Sequence, residues 1–406
     1  MGPMNLHFDV RDIFRAPRLA LGGKKIWIML IANLVGYTGY WLLTYASLLA
    51  AGISFNQAWS KYGLYPCLFG NEVTYIPAWI LYVLGSIIWL IMLVLGSTAV
   101  ARVTYKQLKG DEFYSSGDAW KFVKKHWHAP VFTHLSIALI VLFFVVMAAV
   151  FALIGKIPYL GELFFAIPYL LWFFGSVFVA YTLVVLVISV FFTHAIVGTL
   201  EEDTMGAVFQ NFSITWSQPW RIILYLTIIF GLMYAGLLIF GWFMGAGYEL
   251  VNIVYGHKWL MGDKLANMVG WATNIVIGPN SPIAWGLGCY SGGICSINVP
   301  IVASPLGPME YIGGTFIAVF LFLIIGTVIS YAFVIEAVGE TIALVIFKKK
   351  SDDENLLERK DEEELEAETD ETDWTEPVED DKNEKGDSDS EESDEEGKDE
   401  ATSEPE

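Results

Sequence analysis

Six stretches of this chain run for about 20 or more residues with no charge in their middles. A run of that length can cross a hydrocarbon core of ~30 Å as a helix. Inside lipid the backbone N–H and C=O groups find no water, so a spanning segment must satisfy them in a helix or a closed barrel. A barrel would show segments of about ten residues with alternating polarity, and these runs are continuous. The sequence therefore predicts an all-α membrane protein, a six-transmembrane-helix bundle. The spans are expected near 26–51, 76–101, 131–154, 163–192, 222–246 and 313–338. The fourth is too long to stand upright, and Pro168 near its start predicts a kink or strong tilt.

Composition agrees. Of 406 residues, 55% are hydrophobic and 17% charged, whereas soluble domains are ~45–50% apolar. The net charge of −20 is concentrated in the tail. Residues 351–406 hold about 29 acidic and about 5 basic side chains, which leaves residues 1–350 near +4. A soluble globular enzyme is excluded by the first 350 residues. Nucleic-acid binding is excluded by the lack of an extended basic surface. Three parts follow: an amphipathic segment (1–25), a six-helix domain (26–347), and a basic stop leading into an acidic tail (348–406). Lys348, Lys349 and Lys350 are expected to hold the last span at an anionic leaflet. The tail beyond is expected to be disordered, because it cannot bury enough apolar surface to offset chain entropy.

Lys and Arg concentrate before the first span (Arg11, Arg15, Arg18, Lys24, Lys25), after the second (Lys106, Lys109, Lys121, Lys124, Lys125) and after the sixth. The intervening loops are poor in them. With an even number of spans, this pattern places both termini in the cytoplasm.

Two of the inward loops look alike. Gly117-Asp118-Ala119 with Trp127-His128-Ala129-Pro130 matches Gly206-Ala207 with Trp216-Ser217-Gln218-Pro219 at a constant offset of about 89. Each predicts an amphipathic interfacial helix. One has Ala119, Phe122, Val123 and Trp127 on a face. The other has Met205, Val208, Phe209 and Phe212, behind a cap at Asp203 or Thr204. The N-terminal segment is similar, with Val10, Ile13, Phe14 and Pro17 opposite its arginines. Trp27, Trp127 and Trp216 are the expected interfacial anchors, since indole pairs an apolar ring with an N–H that seeks water.

Cys67, Cys289 and Cys295 fall in predicted outer loops, on the oxidising side. A Cys289–Cys295 disulfide is expected across the intervening Gly292-Gly293. Pairing of Cys67 with either of them is the alternative. The last outer loop, 248–312, is apolar without spanning. Its segment 265–272 suits a short helix that caps the bundle or lids a cavity.

No catalytic signature is present: no HExxH, GxSxG or phosphate-cradling glycine loop. No metal or cofactor site is expected. Ionisable residues within spans usually mark function, and here they gather at the cytoplasmic ends. Glu336, with Glu340 one turn later, is expected to form a structural ion pair with Arg102 or Arg221. His194 is expected near Glu201, Glu202 and Asp203.

Several motifs together suggest a family: Arg15-Ala16-Pro17-Arg18 with Lys24-Lys25-Ile26-Trp27; Ile157-Pro158-Tyr159-Leu160-Gly161-Glu162; Glu202-Asp203-Thr204 leading to Trp216-Ser217-Gln218-Pro219-Trp220-Arg221; and Gly339-Glu340-Thr341. Across about residues 8–350 the chain resembles uncharacterised bacterial multi-pass inner-membrane proteins. More distantly it is similar to the membrane domain fused to some glycerophosphodiester phosphodiesterases. The resemblance implies the bacterial inner (cytoplasmic) membrane. It carries no catalytic residue, and no phosphodiesterase domain is present. Two functions remain open. One is a non-enzymatic protein that organises or assists other envelope components, its partners being the lipid bilayer and a protein met through the acidic tail. The other is a channel or transporter for an apolar or amphiphilic solute. A packed bundle with an exposed groove would favour the first, and a continuous polar cavity the second.

Overall fold

The computed structural model describes residues 4–68, 75–278, 306–361 and 363–365. Of the described residues, 82% are helical and none is in a strand. In order, the helices are α1 (Val10–Ile13), α2 (Ala16–Ala20), α3 (Gly23–Ala50), α4 (Phe55–Tyr62), α5 (Ile76–Lys109), α6 (Ser116–His126), α7 (His128–Ile154), α8 (Leu160–Ala166), α9 (Tyr169–Leu200), α10 (Thr204–Ser217), α11 (Pro219–Tyr255), α12 (Asp263–Ile277) and α13 (Pro308–Ser351). Six of these, α3, α5, α7, α9, α11 and α13, are long and apolar enough to cross a membrane.

Local chemistry sets the boundaries. Pro77, Pro219 and Pro308 sit in the first turns of α5, α11 and α13, where a missing N–H costs nothing. Gly110, at φ 102°, ends α5. The fourth span is shorter at its start than its apolar run. It breaks at Ile167-Pro168 into α8 and α9, because proline cannot bond to the preceding turn and clashes with it. Others are longer than expected. α5 reaches Lys109, and α13 runs 44 residues without interruption, about 66 Å at 1.5 Å per residue.

α13 is the hub, packing against α2, α3, α5, α9, α11 and α12. α3 and α5 form the closest pair. Glycine lets their backbones approach: a Cβ on Gly96 would stand 2.6 Å from that of Ala32, and one on Gly36 2.8 Å from the Trp89 ring. At the end away from the termini, tyrosine hydroxyls hold the connecting chain. Tyr37 donates to Leu64 O (2.5 Å), Tyr40 to Pro66 O (2.6 Å), Tyr45 to Gly63 O (2.5 Å) and Tyr65 to Val276 O (3.0 Å). Burial pushes the Tyr65 phenol above its ordinary range.

The N-terminal turns meet α13. α1 and α2 are short turns wedged into the bundle, with Ile13, Ala16 and Ala20 fully buried, rather than one amphipathic helix lying on the surface. Phe14, expected on the buried face, points outward. Tyr331 donates to Pro17 O (3.1 Å), and Lys350 pairs with Asp9 (2.8 Å).

The acidic tail begins differently from expectation. Leu356 and Leu357 are buried in the main apolar core. Tyr105 Oη donates to Leu356 O (2.8 Å), and Lys109 Nζ to Arg359 O (2.8 Å). The compact unit therefore extends to Arg359. Two leucines spaced for burial and a tyrosine beneath them supply what the charge count concealed. Lys348, Lys349 and Lys350 are also committed, to Asp352 (2.7 Å), Asp353 (2.8 Å) and Asp9, so their charges are answered by the chain itself. From Lys360 onward a second unit begins; its described part is a single turn in which Asp361 accepts from the Glu364 N–H (3.1 Å).

Candidate functional site

Two features outside ordinary packing stand out: a junction of buried ionisable groups near the termini, and an apolar groove in the opposite half.

The junction joins α5, α6, α7, α9 and α13. Arg102, fully buried on α5, places Nη2 2.7 Å from Glu201 Oε1. The two atoms touch without the alignment of a good hydrogen bond, so charge attraction dominates. The guanidinium also lies 4.5 Å from the centroid of the Phe122 ring of α6, at cation–π distance. Glu201 ends α9 with φ 59°, a left-handed position where glycine is usual. Its ion pair with Arg102 helps hold it there. Removing one partner of such a pair strands the other charge, at a cost of ~3–5 kcal/mol.

His194 lies two turns before Glu201 on α9. Its Nε2 is 3.1 Å from Oε2 of Glu340, which is fully buried on α13. Glu336, one turn earlier and half-buried, lies within electrostatic range of both. His134 of α7 sets Nδ1 2.9 Å from Pro130 O and Nε2 3.1 Å from Ser189 O.

This corrects the expected pairing. Arg102 contacts Glu201 across α5 and α9, and Arg221 donates to Gln218 (3.1 Å). Glu336 instead shares its surroundings with His194 and Glu340. His194 faces α13 rather than the acidic turn at 201–203. Like depth on neighbouring spans was legible in the sequence. The rotation of each helix was not, because a helix apolar on all sides carries no facial signal.

Helices form over both matched loop stretches, as expected. Ser115 caps α6 by accepting from the Asp118 N–H (3.1 Å), and Asp203 caps α10 by accepting from the Gly206 N–H (2.7 Å). The Ser115 hydroxyl, then Lys121, holds the Asp118 carboxyl below its usual range. Both helices precede a span, α7 or α11, at matching places. α6 buries Ala119, Phe122 and Val123. α10 buries Val208 but exposes Met205 and Phe209, contrary to the expected shared face, because it turns Asn211 inward to Thr193 (3.1 Å). Trp27, Trp127 and Trp216 are all exposed. Cys67 is a free thiol 3.8 Å from the Tyr82 hydroxyl. Cys289 and Cys295 lie outside the described residues. No cluster of metal-ligating side chains occurs among the described residues.

The groove lies between α11, α12 and α13 and encloses about 710 Å³. That is within the ~300–1,000 Å³ usual for small-molecule sites. Leu237 and Phe243 of α11, Leu265 and Val269 of α12, and Ile317 and Leu321 of α13 line it. Its lining residues that carry polar side-chain atoms are Tyr234, Trp242, Tyr248, Asn252 and Tyr255, all on α11. Much of the space exists because α11 has no side chains there. Gly245 and Gly247 line the groove, and a Cβ on either would meet nothing within 4 Å. α12, expected as a short helix at 265–272, serves as one wall of this groove. It packs on α13 through Ala272 and Val276.

Comparison with protein-family models, with curated proteins and with solved structures finds no match.

Proposed function

We propose that this chain is a non-catalytic integral membrane protein that organises or assists other envelope components by holding the apolar chain of an amphiphile in the α11–α12–α13 groove. The observation that carries this reading is the groove itself. It is roomy, apolar and partly open, while the half of the bundle near the termini is closed by side chains from every helix around it. A long apolar chain fits such a space, and the few polar side chains along α11 can meet its headgroup. The closed half favours retention over passage. The positive-inside pattern supports termini in the cytoplasm of a bacterial inner membrane, as does the family resemblance.

Gly245→Leu tests the proposal. It fills the groove where no atom obstructs it, so the fold should survive. Native mass spectrometry of protein released from mild detergent should show a retained lipid-sized adduct in the parent chain. The same adduct should fall at least tenfold in the variant. Equal adducts in both, or none in either, would refute the reading.

A further inference from the structure

Glu340 is an unusual residue to find where it is. Its side chain is fully buried, and neither carboxyl oxygen has a hydrogen-bond partner among the described residues. An ionised carboxylate in such a place carries a large desolvation penalty. The charged groups on the elements packed around α13 are turned elsewhere. Lys25 of α3 donates to Leu19 O (3.1 Å), Arg102 of α5 contacts Glu201, and Arg221 of α11 donates to Gln218. Lys106 of α5 lies over the Tyr114 ring (5.7 Å). On the N-terminal turns, Arg15 lies 3.5 Å from Asp12. His134 of α7 has a carbonyl at each ring nitrogen. What remains beside Glu340 is His194 Nε2 at 3.1 Å, and Glu336 one turn away.

An ion pair of imidazolium and carboxylate would offset its desolvation only with good alignment and further hydrogen bonds. The pair here has neither. The arrangement that leaves no net charge in the interior puts a proton on Glu340 and leaves His194 neutral, with its Nε2 3.1 Å from the acid.

We propose that His194 and Glu340 form a buried proton-binding site, in which Glu340 carries the proton and Glu336 is the group through which it exchanges. When the proton moves within the pair, the O–H bond of Glu340 breaks and an N–H bond forms on His194. Net charge is unchanged. When the proton leaves through Glu336, a single negative charge stays buried between α9 and α13. The joint between those two spans is therefore responsive to proton concentration, a property separate from anything the groove binds.

Infrared spectroscopy of the full chain in lipid nanodiscs tests this. The carbonyl stretch of an unionised carboxylic acid should be present at neutral pH, should shift in D₂O, and should decline as pH is raised. Glu340→Gln should abolish that component. Asp12→Asn, at another buried carboxyl, should leave it in place. His194→Gln keeps a polar side chain of similar reach and should move the pH at which the band declines. Glu336→Gln should slow its exchange with D₂O several-fold. Should Glu340→Gln fail to fold, the parent chain and His194→Gln still decide the matter. The proposal is overturned if the parent chain shows only ionised carboxylates, if the band survives Glu340→Gln, or if its pH dependence is identical in His194→Gln.

Discussion

The α3–α5 and α7–α9 hairpins share a plan, each being two spans joined at the end away from the termini, yet they are built oppositely. The first is closed by small residues and hydroxyls. Gly36, Gly85 and Gly96 let the backbones touch, and four tyrosines tie down the connection. The second presents Phe143, Phe173, Phe174 and Val187 outward. Only 6% of the most apolar window of α7 is buried within the protein, against 39% for α3. Lipid is as apolar as leucine, so bulky side chains gain nothing by turning inward in a membrane. Close packing and hydrogen bonds decide which spans adhere. α3 is therefore the most embedded of these four helices and α7 the one most turned to lipid, with α5 (17%) and α9 (22%) between them.

The comparison breaks most severely at Arg102, through which α5 of the first hairpin grips α9 of the second. Arg102→Met should lower unfolding stability in detergent by ~3–5 kcal/mol, because the buried ion pair with Glu201 is broken from one side. The double variant Arg102→Met with Glu201→Leu should recover part of that loss, and no recovery would show that packing rather than charge is at stake. Next in size is a matched pair of glycines. Gly96→Leu pushes a side chain into Ala32 and should cost ~1–3 kcal/mol. Gly175→Leu on α9, where a Cβ meets nothing, should leave the melting temperature unmoved. Equal effects at both would end the distinction between close-packed and open positions. Tyr45→Phe removes one clamp on the connecting segment and should cost ~1 kcal/mol, seen as faster proteolysis near Gly63. Smallest is a pH effect where the N-terminal segment meets the end of α13. The hydrogen bond from Lys350, then its charge, holds the Asp9 carboxyl below its ordinary value. A carboxyl lowered on folding adds stability above its unfolded value and loses it as pH falls through the folded one. Asp9→Asn should therefore flatten the acid side of the stability curve and leave neutral pH nearly unchanged.

Much of this architecture was legible in the sequence, for a physical reason. Length and unbroken apolarity suffice to specify a span, so all six appeared, along with α12 and the cap at Asp203. What the sequence withheld was orientation about each helix axis. Nothing in the run around Glu336 says whether it turns to Arg102 or His194, and the bilayer imposes no polar face to break the tie. The groove was hidden for a related reason. It is made by the absence of side chains at Gly245 and Gly247, and sequence registers an absence only once the neighbouring helices are in place. The docked start of the tail was obscured by its charge, which outweighs Leu356 and Leu357 in any average over the segment.

The uninterrupted length of α13 has a mechanical consequence. Val328 at the groove and Lys348 near the N-terminal segment are 20 residues apart on one helix, about 30 Å along its axis. Between them the hydrogen-bonded backbone offers no joint, so the helix acts as a shaft. Torque applied at either end reaches the other, and Glu340 turns with it.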